Sequence, residues 1–212
     1  MKTPPDLSRL LALRSRVQAG AEELGQYRDR FERIQNRHEN GTAPRAVVAH
    51  QLFQTPPALA ARLAALIGGH VQGRAVLDPS AGLGRLLDAA ERYAPGEVVA
   101  VDASAQCVEE LQKRRDITAV HHGDFLAFSP SRLGLFDAIV MNPPFTMRSD
   151  IRHIMHARNF LFPGGHLAAL CMDTPQREKS LRHLCATWEP IPAGEFRSEG
   201  TDVPTILLTM TL

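Results

Sequence analysis

The sequence predicts an α/β fold: a mostly parallel sheet covered by helices on both faces, closed by an antiparallel C-terminal hairpin and preceded by a helical extension. Three observations carry this. Short, continuous apolar runs recur at residues 75–77, 98–101, 117–120, 136–141 and 167–171. Helical patterns separate them, through Leu86, Leu87 and Ala90, then Val108 and Leu111, then Ile151, Ile154, Met155 and Phe160. Strands without polar alternation, spaced by helices, belong to parallel sheets buried on both sides. The third observation is the tail. The β-branched run at 205–210 follows another strand expected at 191–196, with no long helix between them, which predicts antiparallel pairing.

Upstream of the strands, Leu7, Leu10, Leu13, Val17, Ala21, Leu24, Phe31 and Ile34 recur at three- and four-residue spacing, a helical stripe that Gly20 and Gly25 can split. The opposite face carries Arg9, Arg16, Arg30, Arg33 and Arg37. Three uses remain open for it: a solvated charged face, contact with phosphates, or pairing of two copies of the chain as a homodimer. Asn40-Gly41 breaks the chain, so residues 1–46 read as an N-terminal helical extension and 47–212 as the main domain. A further helix starts with Thr55 as N-cap and Pro56 in its first position. Leu59, Leu63, Leu66 and Ile67 share one face, and Gly68-Gly69 supplies the stop.

Composition narrows the class. With 44% hydrophobic and 22% charged residues in 212, the chain is ordinary for a globular protein. A net charge of +1 excludes a polycation, so an anionic partner has to be met by local patches. The extension leads, with nine Lys or Arg against six Asp or Glu over residues 1–46. No apolar run reaches the roughly 20 residues that span a bilayer, and no membrane partner is expected. Cys107, Cys171 and Cys185 are few, odd in number and set in apolar surroundings, as free thiols of a reducing, cytoplasmic location are. His121-His122 and His153 with His156 are lone pairs, too few for a metal centre, and none is expected.

In open parallel sheets ligands bind beyond the carboxyl ends of the strands, so the residues there are the ones to weigh. The first strand is followed by Asp78-Pro79-Ser80-Ala81-Gly82-Leu83-Gly84, whose glycines allow close backbone approach. Asp78 places a carboxylate where a cationic amino group can be held. The second strand ends at Asp102-Ala103, with a carboxylate suited to a ribose diol. The third leads to Asp124-Phe125, an acceptor plus a ring for an adenine. The fourth ends in Asn142-Pro143-Pro144-Phe145, where two prolines with fixed φ stiffen a turn bearing an amide, backbone carbonyls and a flat ring. Singly these are weak: a Gly-x-Gly turn is more often a plain turn, and Asp102 or Asp124 alone reads as a helix N-cap. Four at four successive strand ends form a pattern. A dinucleotide cradle would need a third glycine where Leu87 stands.

The set resembles the class I S-adenosylmethionine (SAM)-dependent methyltransferases of the N6-adenine type. Asp78 to Gly84 is similar to the family's motif I, Val101-Asp102 to motif II, Asp124-Phe125 to motif III and Asn142 to Phe145 to motif IV. Phe53-Gln54-Thr55-Pro56-Pro57 resembles motif X, which precedes motif I in one group of adenine enzymes. The segment from Gly200 to Thr205 resembles the approach to the family's closing hairpin. The resemblance implies a Rossmann-like class I methyltransferase fold with seven strands, SAM as cofactor, and methyl transfer to the exocyclic N6 of adenine in DNA. It implies cofactor binding by Gln54, Thr55, Asp78, Pro79, Ser80, Gly82, Gly84, Asp102, Ala103, Asp124, Phe125 and Asn142. Catalysis falls to Asn142, Pro143, Pro144 and Phe145.

Only 67 residues follow Phe145, and the fold consumes them, whereas DNA enzymes with motif X first usually carry a sizeable recognition domain. The layout resembles small phage- or prophage-type enzymes most. Phe145, where DNA enzymes commonly show Tyr, also fits RNA enzymes that modify adenine N6 or guanine N2. A nucleic-acid partner is therefore expected, DNA ahead of RNA, with protein glutamine, a small molecule or a non-catalytic SAM-binding subunit behind them.

Overall fold

The computed structural model of the chain describes residues 54–192, 194–196 and 203–212. The expected extension over 1–46, its arginine face, the boundary at 47, pairing of two copies, Phe53 and residues 200–202 lie outside the described residues.

Helix α1, Pro57–Gly68, opens the described chain. Then come β1 (Ala75–Asp78), α2 (Arg85–Glu91), β2 (Glu97–Asp102), α3 (Ala105–Leu111) and β3 (Ala119–His122). They are followed by α4 (Pro130–Leu133), β4 (Phe136–Met141), α5 (Ser149–Ala157), β5 (Leu161–Met172), α6 (Pro175–Leu181), β6 (Thr187–Ile191) and β7 (Thr205–Thr211). The seven strands form one sheet in the order β3-β2-β1-β4-β5-β7-β6. The first five are parallel, and β7 runs antiparallel between β5 and β6. The chain winds outward from β1 to β3 and then returns to β4 on the other side of β1. That reversal opens a crevice at the carboxyl ends of β1 and β4.

Side-chain alternation explains the apolar runs. Val76, Ala138, Val140, Ala168, Leu170 and Leu207 face α1 and α2, packing on Leu59, Leu63, Ile67 and Leu86. Their neighbours Leu77, Ile139, Met141, Leu167, Cys171 and Leu208 face the opposite layer, with Ile154, Phe160 and Leu181. Both faces are buried, so neither can be polar.

Three expectations shift. Helix α1 is capped by Pro56, with Pro57 in its first turn and no side-chain cap; the Thr55 hydroxyl is engaged elsewhere. The strand expected at 191–196 lies at Thr187–Ile191 instead. It is the sheet edge, where Pro190 needs no ladder partner, and Pro192 prevents extension. The third strand begins at Ala119, two residues later than expected. Within β5, Pro163-Gly164-Gly165 forms an irregularity between the pairs Phe136–Leu161 and Ala138–His166. At the end of α1, Gly68 is required for space, because a Cβ there would sit 2.5 Å from the Tyr93 ring.

Candidate active site at the carboxyl ends of the strands

The carboxyl ends of β1 to β4 and the start of α1 enclose a cleft of about 570 Å³, within the roughly 300–1,000 Å³ of small-molecule sites. It gathers Gln54, Thr55, Asp78, Pro79, Ser80, Gly82, Asp102, Ala103, Asp124, Phe125 and the whole Asn142–Phe145 turn. Residues up to 91 positions apart in sequence thus share one wall.

At the end of β1, Asp78 is fully buried. One carboxylate oxygen accepts from the Ser80 backbone N–H at 3.1 Å; Oδ2 is buried with no hydrogen-bond partner. Burial pushes its pKa up to about 8. The Ser80 N–H opposes this and the charge of Asp102 adds to it. The sign of the resulting pH dependence follows. Between about pH 4 and 8 the folded chain holds a proton that the unfolded chain has lost, so stability falls as pH rises through that window. The slope is on the order of 1 kcal/mol per pH unit. Asp78→Asn is therefore expected to match the wild type near pH 4 and exceed its thermal midpoint at pH 8. Equal midpoints at both pH values would show that Asp78 does not carry this strain.

The glycine loop is tied to β2 by Asp102. Its Oδ2 accepts from Gly82 N at 2.7 Å and its Oδ1 from Ser104 N at 2.8 Å. Gly82, at φ +55, is left-handed, and its exposed side opens on the cleft. Gly84 has a different position. It does not line the cleft but caps α2 at φ +87, tucked beneath Arg114 and Leu111. Its left-handed turn sets the angle of α2, and through it Arg85, whose Nη2 donates to Gln54 Oε1 at 2.6 Å.

At β3, Asp124 is exposed and its Oδ1 accepts from Leu126 N at 3.0 Å, capping a single turn at Phe125–Ala127. Phe125 borders the cleft, with its ring packed into the core behind it. It is 1% exposed and lies among Phe160 (5.0 Å), His156 (4.9 Å) and His153 (6.0 Å). An apolar ring gains more from this core than from a half-wet cleft.

At β4, the Asn142 side-chain amide donates to Thr55 Oγ1 at 3.1 Å. This bond crosses 87 positions and fixes the amide's orientation. It is also what takes Thr55 away from helix capping. Pro143 is buried, Pro144 exposed and Phe145 half-buried against the α1 side of the core.

Sequence reasoning missed what holds this turn. Arg177 of α6 is buried and donates from Nε and Nη2 to both oxygens of the fully buried Asp150, each at 3.1 Å. The same Nη2 donates to the Phe145 carbonyl at 3.2 Å. A lone arginine in a charged helix gives no sequence signal of this. Also missed were Ser149, Arg152 and His153 on the cleft wall; their i, i+3, i+4 spacing on the helix after the turn was the available signal. His153 is buried 3.9 Å from Asp124, and burial pushes its pKa down. Between Phe145 and α5 the chain turns through Met147 (φ +48) and Arg148 (φ +61), two left-handed non-glycine residues, costing roughly 1–2 kcal/mol each. Burial raises the Cys171 thiol far above its usual range and Cys185 to about 11, so neither supplies a thiolate nucleophile.

Among the described residues no helix is long and apolar enough to cross a membrane, and no group of three or more His, Cys, Asp or Glu could hold a metal ion.

The chain matches the family described as "Methyltransferase small domain" over residues 57–193. No curated protein matches it. Among solved structures, a protein assigned as a class I SAM-dependent methyltransferase from Listeria monocytogenes is similar at TM-score 0.62 and 17% identity, over 79% of this chain and 62% of that one. TrmN from Thermus thermophilus matches at TM-score 0.56 and 22% identity, over 74% of this chain and 49% of that one. The T. thermophilus 16S ribosomal RNA guanine-N2 methyltransferase RsmC, in complex with SAM and guanosine, matches at TM-score 0.52 and 22% identity, over 75% and 43%. The chain thus spans between 43% and 62% of these proteins' lengths, and at such identities the likeness is one of fold. SAM carries a cationic ammonium, and a buried carboxylate oxygen lacking a partner on the cleft wall fits such a ligand. The chain belongs to the methyltransferase small domain family and has the class I, Rossmann-like methyltransferase fold.

Proposed function

We propose that the protein methylates the exocyclic N6 of adenine in DNA. The observation that carries this reading is the Asn142 amide, held by Thr55 at the mouth of a rigid Pro-Pro turn whose last carbonyl is gripped by Arg177. When bound, SAM supplies an electrophilic methyl group on sulfur. The chain's part is to make a poor nucleophile competent. The lone pair of a base amine is delocalised into its ring. Acceptance of its two N–H protons by the Asn142 amide oxygen and the Pro143 carbonyl draws the nitrogen toward tetrahedral geometry and releases that pair. Phe145 covers the base plane. Preorganised dipoles and alignment are the catalytic devices, and no covalent nucleophile is needed.

Asp78 accepts the ammonium of SAM in this reading, and Asp102 the ribose hydroxyls while it keeps Gly82 in place. Asp102→Ala is then expected to weaken SAM binding at least tenfold by calorimetry, the scale of losing hydrogen bonds to a charged acceptor. An unchanged Kd would remove Asp102 from the binding site.

The motif order, with the Thr55 segment ahead of motif I, favours adenine in DNA. A second reading, guanine N2 in RNA, is favoured by Phe145 and by the fold likeness to RsmC. Labelled SAM incubated with duplex DNA, single-stranded DNA and RNA, followed by digestion and identification of the methylated nucleoside, separates them. N6-methyladenine in DNA is the expected product. N2-methylguanine in RNA would replace it with the second reading, and no incorporation despite SAM binding would end both.

A further inference from the structure

Met147 is an 88% exposed apolar side chain held on strained left-handed backbone, two residues beyond the Asn-Pro-Pro-Phe turn. Arg148, also left-handed, and Arg152 border the same surface groove, both exposed. Arg152 lines the cleft and also borders the surface groove that Met147 forms with Ile151 and Gln176. Non-glycine residues persist in such conformations where the strain serves a function. An apolar tip beside two cations, at the rim of a cleft that takes a single base in the proposed reading, matches the chemistry of a duplex with one base withdrawn. The tip replaces the lost stacking partner and the cations meet the flanking phosphates.

We propose that Met147 is the wedge that fills the duplex when the target adenine leaves it, and that Arg148 and Arg152 hold the phosphates on either side. This rests on the reading that the chain modifies a base in DNA. The target amine inside a duplex is out of reach of the cleft, so extrusion has to be stabilised by something, and among the described residues Met147 is the most exposed large apolar side chain, close to the cleft in sequence.

The test compares kcat/KM on a fully paired duplex and on the same duplex with the target adenine opposite an abasic site. Met147→Ala is expected to lower the paired-to-unpaired ratio at least tenfold. Met147→Leu, which keeps an apolar tip, should leave that ratio within about twofold of the wild type. Arg148→Gln and Arg152→Gln should each reduce the slope of log affinity against log salt by about one. An unchanged ratio in Met147→Ala, or an equal loss on both duplexes, overturns the wedge while leaving the base-methylation reading intact. A wild type that modifies neither duplex overturns both.

Discussion

Replacing Asn142 with alanine is expected to lower kcat on the nucleic-acid substrate by about 10²–10³-fold, the scale of removing one preorganised dipole from a transition state. SAM affinity should stay within a few-fold, because Asp78 and Asp102, which meet the ammonium and the ribose of the cofactor in this reading, lie at the ends of β1 and β2. Stability should fall by at least the net worth of the hydrogen bond to Thr55, about 1 kcal/mol. The split between kcat and SAM binding is the diagnostic feature: an unfolding defect would lower both together. Retention of most of the wild-type turnover in single-turnover assays would show that the amide does not touch the reacting nitrogen.

Replacing Arg177 with alanine is expected to cost about 3–5 kcal/mol, since it leaves the fully buried Asp150 as an uncompensated charge. In a chain of this size that lowers the thermal midpoint by roughly 10 °C. Arg177→Lys separates stability from function. An ammonium keeps a charge beside Asp150 and should recover much of the stability. It lacks the planar fork that reaches both Asp150 oxygens and the Phe145 carbonyl at once. Turnover should therefore remain depressed at least tenfold in Arg177→Lys, with SAM affinity near wild type. Full activity in that variant would mean that the pair only stabilises the fold.

The two predictions bear on one turn read in two ways. Its sequence is legible by itself, because two prolines after an apolar run stop a strand whatever surrounds them. What holds it is not legible. Thr55 lies 87 positions from Asn142 and Arg177 lies 32 from Phe145. No local pattern marks either as a partner, and Thr55 even reads more naturally as a helix cap.

The same division runs through the molecule. Continuous apolar strands, helices between them and an acidic residue at successive strand ends are local features. They sufficed for the parallel sheet, its antiparallel closure and the side of the sheet on which the cleft lies. The edge strand was misplaced because only its position beside β7 tells whether Pro190 is tolerable there. Phe125 borders the cleft beside Asp124, while its ring packs on Phe160 and His156, which the chain reaches only after another strand and helix. Gly84 and Gly82 look alike in sequence; packing beneath Arg114 made one a helix cap and left the other on the cleft. Periodicity and turn chemistry act over a few residues and so are written in the chain itself. Which buried polar group finds which partner depends on side chains brought together by burial, and that was decided only when the two faces of the sheet were covered.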